Sequence, residues 1–373
     1  MKIVILGLSI TSSWGNGHAT TYRALVRALA ARGHDILFLE RDAPWYAGNR
    51  DLPEPPYCRT ALYDELSTVE VRHGDEIATA DLVIVGSYVP DGIAVGRMVH
   101  RLARGLTAFY DIDTPVTLAR LETGGTDYLL PSQIARYDLY LSFTGGPTLE
   151  RLQETYAARM ARPLYCSVDP DLYSPEEIPD GRRFDMGYLG TYSADRQPVL
   201  DRLMLSVAER WPDGRFIVVG PQYPESIAWA ANVQRVIHLA PAEHRSFYNR
   251  LRYTLNVTRK DMVQAGYSPS VRLFEAAACG TPIVSDTWPG LERFFEPGSE
   301  ILLSGSADET LSYLHHIGDR ERDSIGQRAR ARVLGAHTAA HRAIELESYM
   351  REAGYAVESS TPSSKPSALE TLQ

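Results

Sequence analysis

Short apolar runs alternate with longer stretches in which apolar positions recur every three or four residues, and this alternation continues through nearly the whole chain. Consecutive apolar positions mark strands buried on both faces of a parallel sheet, and the periodic stretches between them are the helices that cover it. In the first half, strands are expected at 2–8 (KIVILGL), 35–40, 81–87, 106–112 and 138–143. The clearest helix is ATTYRALVRALAARG, in which Tyr22, Leu25, Val26 and Leu29 share one face and Gly33 marks the stop.

The segment PLYCSVDPDLYSPEEIPDGRR breaks the rhythm with four prolines, turn residues and charge, which places a linker at 167–183. The alternation then restarts, with strands expected at 184–190, 215–220, 235–240, 253–258, 281–286 and 300–305. The pattern predicts an α/β protein of two Rossmann-like, doubly wound domains, 1–168 and 184–335, facing each other across a cleft. A last helical region at about 320–352 is long enough to reach back, so residues 336–354 are expected to pack on the first domain. The Ser/Pro-rich tail at 355–373 has almost no bulky apolar residues and is expected to be disordered.

At 373 residues the chain exceeds what one core usually supports, which agrees with two domains. The 44% hydrophobic and 23% charged content is that of an ordinary globular protein. A net charge of −9 argues against bulk attraction to nucleic acid or anionic lipid, though not against a local basic cluster for one phosphorylated ligand. Cys58, Cys166 and Cys279 are far apart and odd in number, so they read as reduced core thiols of a cytoplasmic protein. The opening MKIVILGLSI is too short to span a bilayer and lacks a small-residue cleavage site; it reads as a buried first strand, and no later stretch looks transmembrane.

Ligands of open parallel sheets bind beyond the carboxyl ends of the strands, so the loops there carry the candidate chemistry. After the first strand, Gly15, Asn16 and Gly17 allow a close backbone approach, and His18 opens the next helix as an acceptor-binding residue, a general base or a plain loop partner. The spacing G-x-G-x-x-T is an incomplete dinucleotide motif, which leaves an NAD-dependent oxidoreductase as a weak alternative. Asp111 and Asp113 end an apolar strand, where alternation puts both carboxylates on one face toward the cleft; Asp113 is equally placed as a helix cap. No third ligand accompanies them, so no protein-held metal is expected. In the second half, Gly190, Thr191, Ser193 and Arg196 offer amides, hydroxyls and a guanidinium suited to a diphosphate.

The run GYSPSVRLFEAAACGTPIVSD places a helix with Ser268 as N-cap and Pro269 in its first turn, ending near Gly280. Val271, Phe274 and Ala278 form its apolar stripe, with Arg272 and Glu275 on another face. Arg259, Arg272 and the helix-start amides together suit two phosphates, and Glu275 would face whatever those phosphates carry. The plainer reading of Glu275 is a surface ion pair with Arg272.

The run SVRLFEAAACGTPIVSDTWPGLERFFEPGSEILL resembles the donor-binding half of nucleotide-sugar glycosyltransferases of the GT-B fold, in particular the family 4 type. Together with FYDIDTPVTLARLE, DLYLSFTGGPTLERL and LYCSVDPDLYSP, the chain to about residue 350 most resembles the CgeB-like spore-maturation glycosyltransferases. The family 4 pattern carries two glutamates with seven residues between them, the second binding the ribose; Glu275 stands at the second and Tyr267 at the first. The resemblance therefore implies ribose binding by Glu275 and leaves the sugar contacts to Tyr267, Ser268 or Ser270. Gly190 and Arg196 match the glycine and lysine of the family's diphosphate motif, whereas Thr191 stands where its arginine would be, with Arg259 or Arg272 to replace the charge. The loop at His238 and Leu239 would supply backbone contacts to the nucleobase. Transfer from a UDP-, GDP- or dTDP-linked sugar to an unknown acceptor follows, without a further cofactor or a metal and with retention at the anomeric carbon. His18, Asp111 and Asp113 would serve the acceptor, with His18 or Asp111 as base if the reaction inverts. A nucleotide-sugar epimerase or phosphorylase shares this architecture, and the Tyr267 and Thr191 departures raise a catalytically reduced binding protein as a further reading.

Overall fold

The computed structural model describes residues 1–15, 17–178 and 181–355. Asn16 of the candidate glycine loop and residues 356–373 of the expected tail lie outside the described residues.

Two parallel sheets organise the chain. The first contains β1 (Lys2–Gly7), β2 (Asp35–Arg41), β3 (Arg59–Tyr63), β4 (Leu82–Gly86), β5 (Leu106–Asp111), β6 (Leu139–Ser142) and β7 (Ala161–Pro163), in the order β3-β2-β1-β4-β5-β6-β7. The second contains β8 (Phe184–Leu189), β9 (Phe216–Val219), β10 (Val233–Val236), β11 (Leu251–Asn256), β12 (Ile283–Ser285) and β13 (Leu302–Leu303), in the order β10-β9-β8-β11-β12-β13. Both are doubly wound. In each, the chain reverses its direction of travel across the sheet once, between β1 and β4 in the first and between β8 and β11 in the second. The central strands are buried along almost their whole length, as consecutive apolar residues require when helices cover both faces. The edge strands β3 and β7, absent from the pattern reading, are short and carry Arg59, Arg162 and Pro163, so neither shows an apolar run.

The second-domain strands are shorter than the apolar runs suggested: 235–240 becomes β10 at Val233–Val236, and 300–305 becomes the two-residue β13. Past β10 the chain runs into an open loop in which Ile237 and His238 are exposed, so the run does not continue as strand. The last helical region is two helices, Asp319–Ala336 and Ala339–Glu352, broken at Thr338, which bridges back to Val168 in the linker. The final helix lies on the first domain, where Glu347 meets Arg32 at 2.6 Å and His34 at 2.9 Å, and Tyr349 donates to the Pro163 carbonyl at 2.9 Å.

One apolar cluster runs without interruption from Ile5, Phe38 and Tyr110 through Cys166 and Val168 to Phe274, Phe294 and Met350. The domains are thus joined by a shared core beneath the cleft as well as by the linker, which fixes how the two sets of strand ends face each other. Among the described residues, no helix is long and apolar enough to cross a membrane.

Candidate functional site

The reversal points of the two sheets open toward the same cleft, and crevices at such points, outside the strand carboxyl ends, are where open α/β sheets hold ligands. From the first domain, the loop after β1 turns at Gly15, whose φ of 67° favours glycine, and Gly17 caps the helix His18–Ala31. His18 is 8% exposed, and its Nδ1 finds no hydrogen-bond partner among the described residues. Its ring meets Tyr88 edge to face at 5.4 Å, across the β1–β4 reversal point. Burial lowers its pKa to about 4 against the smaller opposing pull of Asp113, so the imidazole is neutral at neutral pH.

Asp111 and Asp113 are not a matched pair facing the cleft. Asp111 is fully buried beneath the loop, accepting from Tyr140 at 2.6 Å, Thr117 at 2.9 Å and the Asp113 N–H at 3.2 Å, and burial raises its pKa to about 6. The chain turns directly after β5, which ends the strand alternation on which a shared face depended. Asp113 occupies the N-cap position of Thr114–Thr123 without a side-chain cap bond; its Oδ2 instead accepts from Tyr88 at 3.3 Å and from Arg259 of the second domain at 3.3 Å.

Opposite, Gly190 follows β8 with no room for a side chain: a Cβ there would lie 2.7 Å from the Tyr188 hydroxyl and 2.9 Å from the Arg272 guanidinium. Arg272 is locked by the Leu189 carbonyl at 2.6 Å, by Asn256 Oδ1 at 3.1 Å and by the face of Tyr188, 4.9 Å from its centroid. Arg196 folds onto the Thr191 carbonyl at 2.7 Å, with its Nε buried and unpartnered among the described residues. Its pKa is lowered by burial first, and the positive fields of Arg272 and Arg259 add to the shift while Tyr188 and Asp195 oppose it. Three guanidiniums therefore crowd one corner of the cleft, an arrangement that an anion would relieve.

The helix in the GYSPSVRLFEAAACGTPIVSD run is Val271–Ala278, with Ser270 as its N-cap residue rather than Ser268. Ser270 Oγ donates to Asn256 Oδ1 at 2.7 Å, so the N–H groups of the first turn keep no side-chain cap. Ser268 instead bonds Thr144 of the first domain at 2.8 Å. No ion pair joins Glu275 to Arg272. Glu275 is 5% exposed and accepts from Tyr248 at 3.1 Å.

Tyr267 has a φ of 49°, rare for a residue with a side chain, and its ring sits between Gly146 and Gly290, where an added Cβ would come within 2.3 Å of it. Its N–H donates to Pro289 at 2.7 Å, and its carbonyl accepts from Gly145 of the first domain at 3.0 Å. The residue standing where the resemblance places a glutamate is thus an interdomain wedge. His238 is exposed, and the adjacent Leu239 carbonyl receives His244 Nε2 at 3.3 Å.

One interdomain pocket of about 250 Å³ brings together Gly15 and Gly17 of the first domain with Gly190, Thr191, His238, Leu239, Arg272 and Glu275 of the second. Arg196, Arg259, Asp111, Asp113 and His18 stand outside its lining, as do Tyr267, Ser268 and Ser270. Tyr248, Tyr173, Asn256 and Tyr88 escaped the sequence reading. No pattern in the sequence marks them, and only the fold brings their polar atoms to the site. A cavity of about 790 Å³ behind the linker, lined by Arg182, Arg252 and Arg322, shares none of these residues, so size does not locate the site. Among the described residues, no group of three or more His, Cys, Asp or Glu side chains is placed to hold a metal ion.

Residues 196–348 match the model of a glycosyl transferase-like family. No curated protein sequence matches the chain. Among solved structures, the chain is similar to sucrose-phosphate synthase from Thermosynechococcus elongatus, at 15% identity over 94% of this chain and 98% of that one, TM-score 0.68. It is similar to Anabaena HepE in complex with UDP and glucose at 14% identity over 94% and 100% of the two chains, TM-score 0.68. An alpha-glucosyltransferase in complex with UDP-glucose and DNA aligns at 12% identity over 94% and 99%, TM-score 0.70. The fold is GT-B.

Proposed function

We propose that the protein is a glycosyltransferase that moves a sugar from a nucleotide diphosphate donor, of the UDP-sugar class, to an acceptor held on the first domain. The observation that carries this reading is the pairing within one cleft of a three-arginine corner and uncapped helix start with a buried carboxylate, Glu275, one helix turn away. The match of residues 196–348 to a glycosyl transferase-like family, and structural relatives solved with UDP or UDP-glucose, support it.

In this reading the diphosphate lies against Gly190, Thr191 and the first turn of Val271–Ala278, where backbone amides and the helix dipole favour anions. Departure of the diphosphate concentrates negative charge there; Arg196 and Arg272, already held in place, stabilise it without reorganisation, and Arg259 adds a third guanidinium. Glu275 accepts from the ribose hydroxyls, and the His238–Leu239 loop borders the base. Neutral His18 and Asp113 orient the acceptor hydroxyl. The arginines supply the countercharge that a metal would otherwise give, so the reaction is proposed as metal-independent; retention is proposed on the family 4 resemblance alone. Three free thiols fit a reducing, cytoplasmic setting.

Thermal-shift and calorimetric titration with UDP, GDP, dTDP and their sugars tests the site, since a ligand stabilises the native state with the logarithm of its saturation. Absence of any stabilisation by these ligands would sink the proposal. The wedged Tyr267 favours one second reading, a GT-B protein with reduced catalysis, and UDP-sugar binding without turnover against a broad acceptor panel would select it.

A further inference from the structure

Arg259 reaches out of the second domain and donates to Asp113 Oδ2 of the first at 3.3 Å. The same oxygen receives the Tyr88 hydroxyl at 3.3 Å, and the Tyr88 ring lies against His18. Tyr88 holds a φ of 62°, a strained conformation for a tyrosine, of a kind that concentrates at functional sites. One carboxylate therefore belongs to two places at once: it is the counter-ion of a donor-side arginine and the centre of the acceptor-side cluster.

The pair is loosely held. Its separation exceeds the roughly 2.7–2.9 Å of a strong charge-assisted bond, and Arg259 and Asp113 are 40% and 20% exposed. The other charges around Arg259 are Arg196, which repels it, and Asp195, whose carboxylate is already occupied by the Lys260 N–H at 2.9 Å and by the Ser193 hydroxyl. A diphosphate arriving beside Arg196 and Arg272 presents more negative charge to Arg259 than one shared carboxylate does.

We propose that Asp113 is an internal stand-in for the donor's diphosphate: it holds Arg259 across the cleft until the donor binds and then gives it up. The acceptor-side carboxylate beside His18 and Tyr88 is freed only with the donor in place, which makes addition ordered, donor before acceptor. This inference rests on the donor-site reading of the preceding subsection.

The test is calorimetric binding of UDP at low salt to the wild type, Asp113→Asn, Arg259→Ala and the double variant, with melting curves to establish that each is folded and Asp113→Ser as a second replacement. Removing the competing carboxylate should tighten UDP binding about fivefold, the upper range for a partly exposed pair. The gain should shrink as salt is raised, and in the Arg259→Ala background the same replacement should change affinity less than twofold. Unchanged or weaker binding by Asp113→Asn, or an equal gain without Arg259, overturns the stand-in. Binding that Glu275→Ala weakens but Asp113→Asn leaves unmoved overturns the stand-in alone, whereas no UDP binding by any of the proteins overturns the donor site itself.

Discussion

Replacing Glu275 by alanine removes a carboxylate that is 5% exposed and held by the Tyr248 hydroxyl. If that carboxylate accepts from the ribose, the ligand loses a hydrogen bond to a charged group in a site that excludes most solvent. Such bonds contribute about 1.5–3 kcal/mol, so UDP should bind roughly ten- to a hundredfold more weakly. On the protein side the two opposing effects are comparable: Tyr248 loses its acceptor, costing about 1–3 kcal/mol, while a buried charge is relieved. The variant should therefore remain folded. Calorimetry with UDP, 2′-deoxy-UDP and 3′-deoxy-UDP separates a ribose contact from a general disturbance, because a ligand lacking the contacted hydroxyl has nothing further to lose. Binding of one deoxy analogue should be nearly equal in the wild type and in Glu275→Ala. An equal proportional loss for all three ligands would refute the ribose assignment and return Glu275 to a structural role under Tyr248.

Arg196→Ala and Arg272→Ala should each weaken UDP binding about tenfold and make it less sensitive to salt, as a titration series in sodium chloride would show. Gly146→Ala should destabilise the protein by about 1–3 kcal/mol in urea denaturation, since its Cβ would fall 2.3 Å from the Tyr267 ring at a φ of 58°; a change within about 0.5 kcal/mol would contradict the wedge. The His18 pKa is lowered by burial to about 4, so between pH 6.5 and 4 the unfolded chain takes up a proton that the folded chain refuses, and stability falls with acidification through that window. His18→Gln should remove up to about 3 kcal/mol of that fall by pH 4, read as the difference between the two proteins' stability–pH curves.

What the sequence made legible follows from which interactions are local. The two sheets and the linker were readable because burial on both faces writes itself as consecutive apolar residues, and Gly190 and Glu275 were readable because strand ends and helix starts bracket them. β3 and β7 carry no such signature, since an edge strand with Arg59 or Pro163 needs no apolar run. The error at Asp111 and Asp113 came from extending strand alternation one residue too far: β5 ends at Asp111, and the turn sends one carboxylate into the Tyr140–Thr117 network and the other across the cleft. The error at Ser268 had the same origin on the helix side, because Ser268 and Ser270 are both acceptable caps and only the Thr144 hydroxyl of the other domain decides between them. Tyr267 goes further. Its ring fills a slot made by Gly146 and Gly290, its backbone is held at positive φ by Pro289 and Gly145, and all four partners are more than 20 residues away in the chain. A tyrosine where a glutamate was expected reads in sequence as a missing sugar ligand. In the fold it is a wedge between the two domains, so in the proposed reaction the sugar contacts fall to its neighbours Ser268 and Ser270.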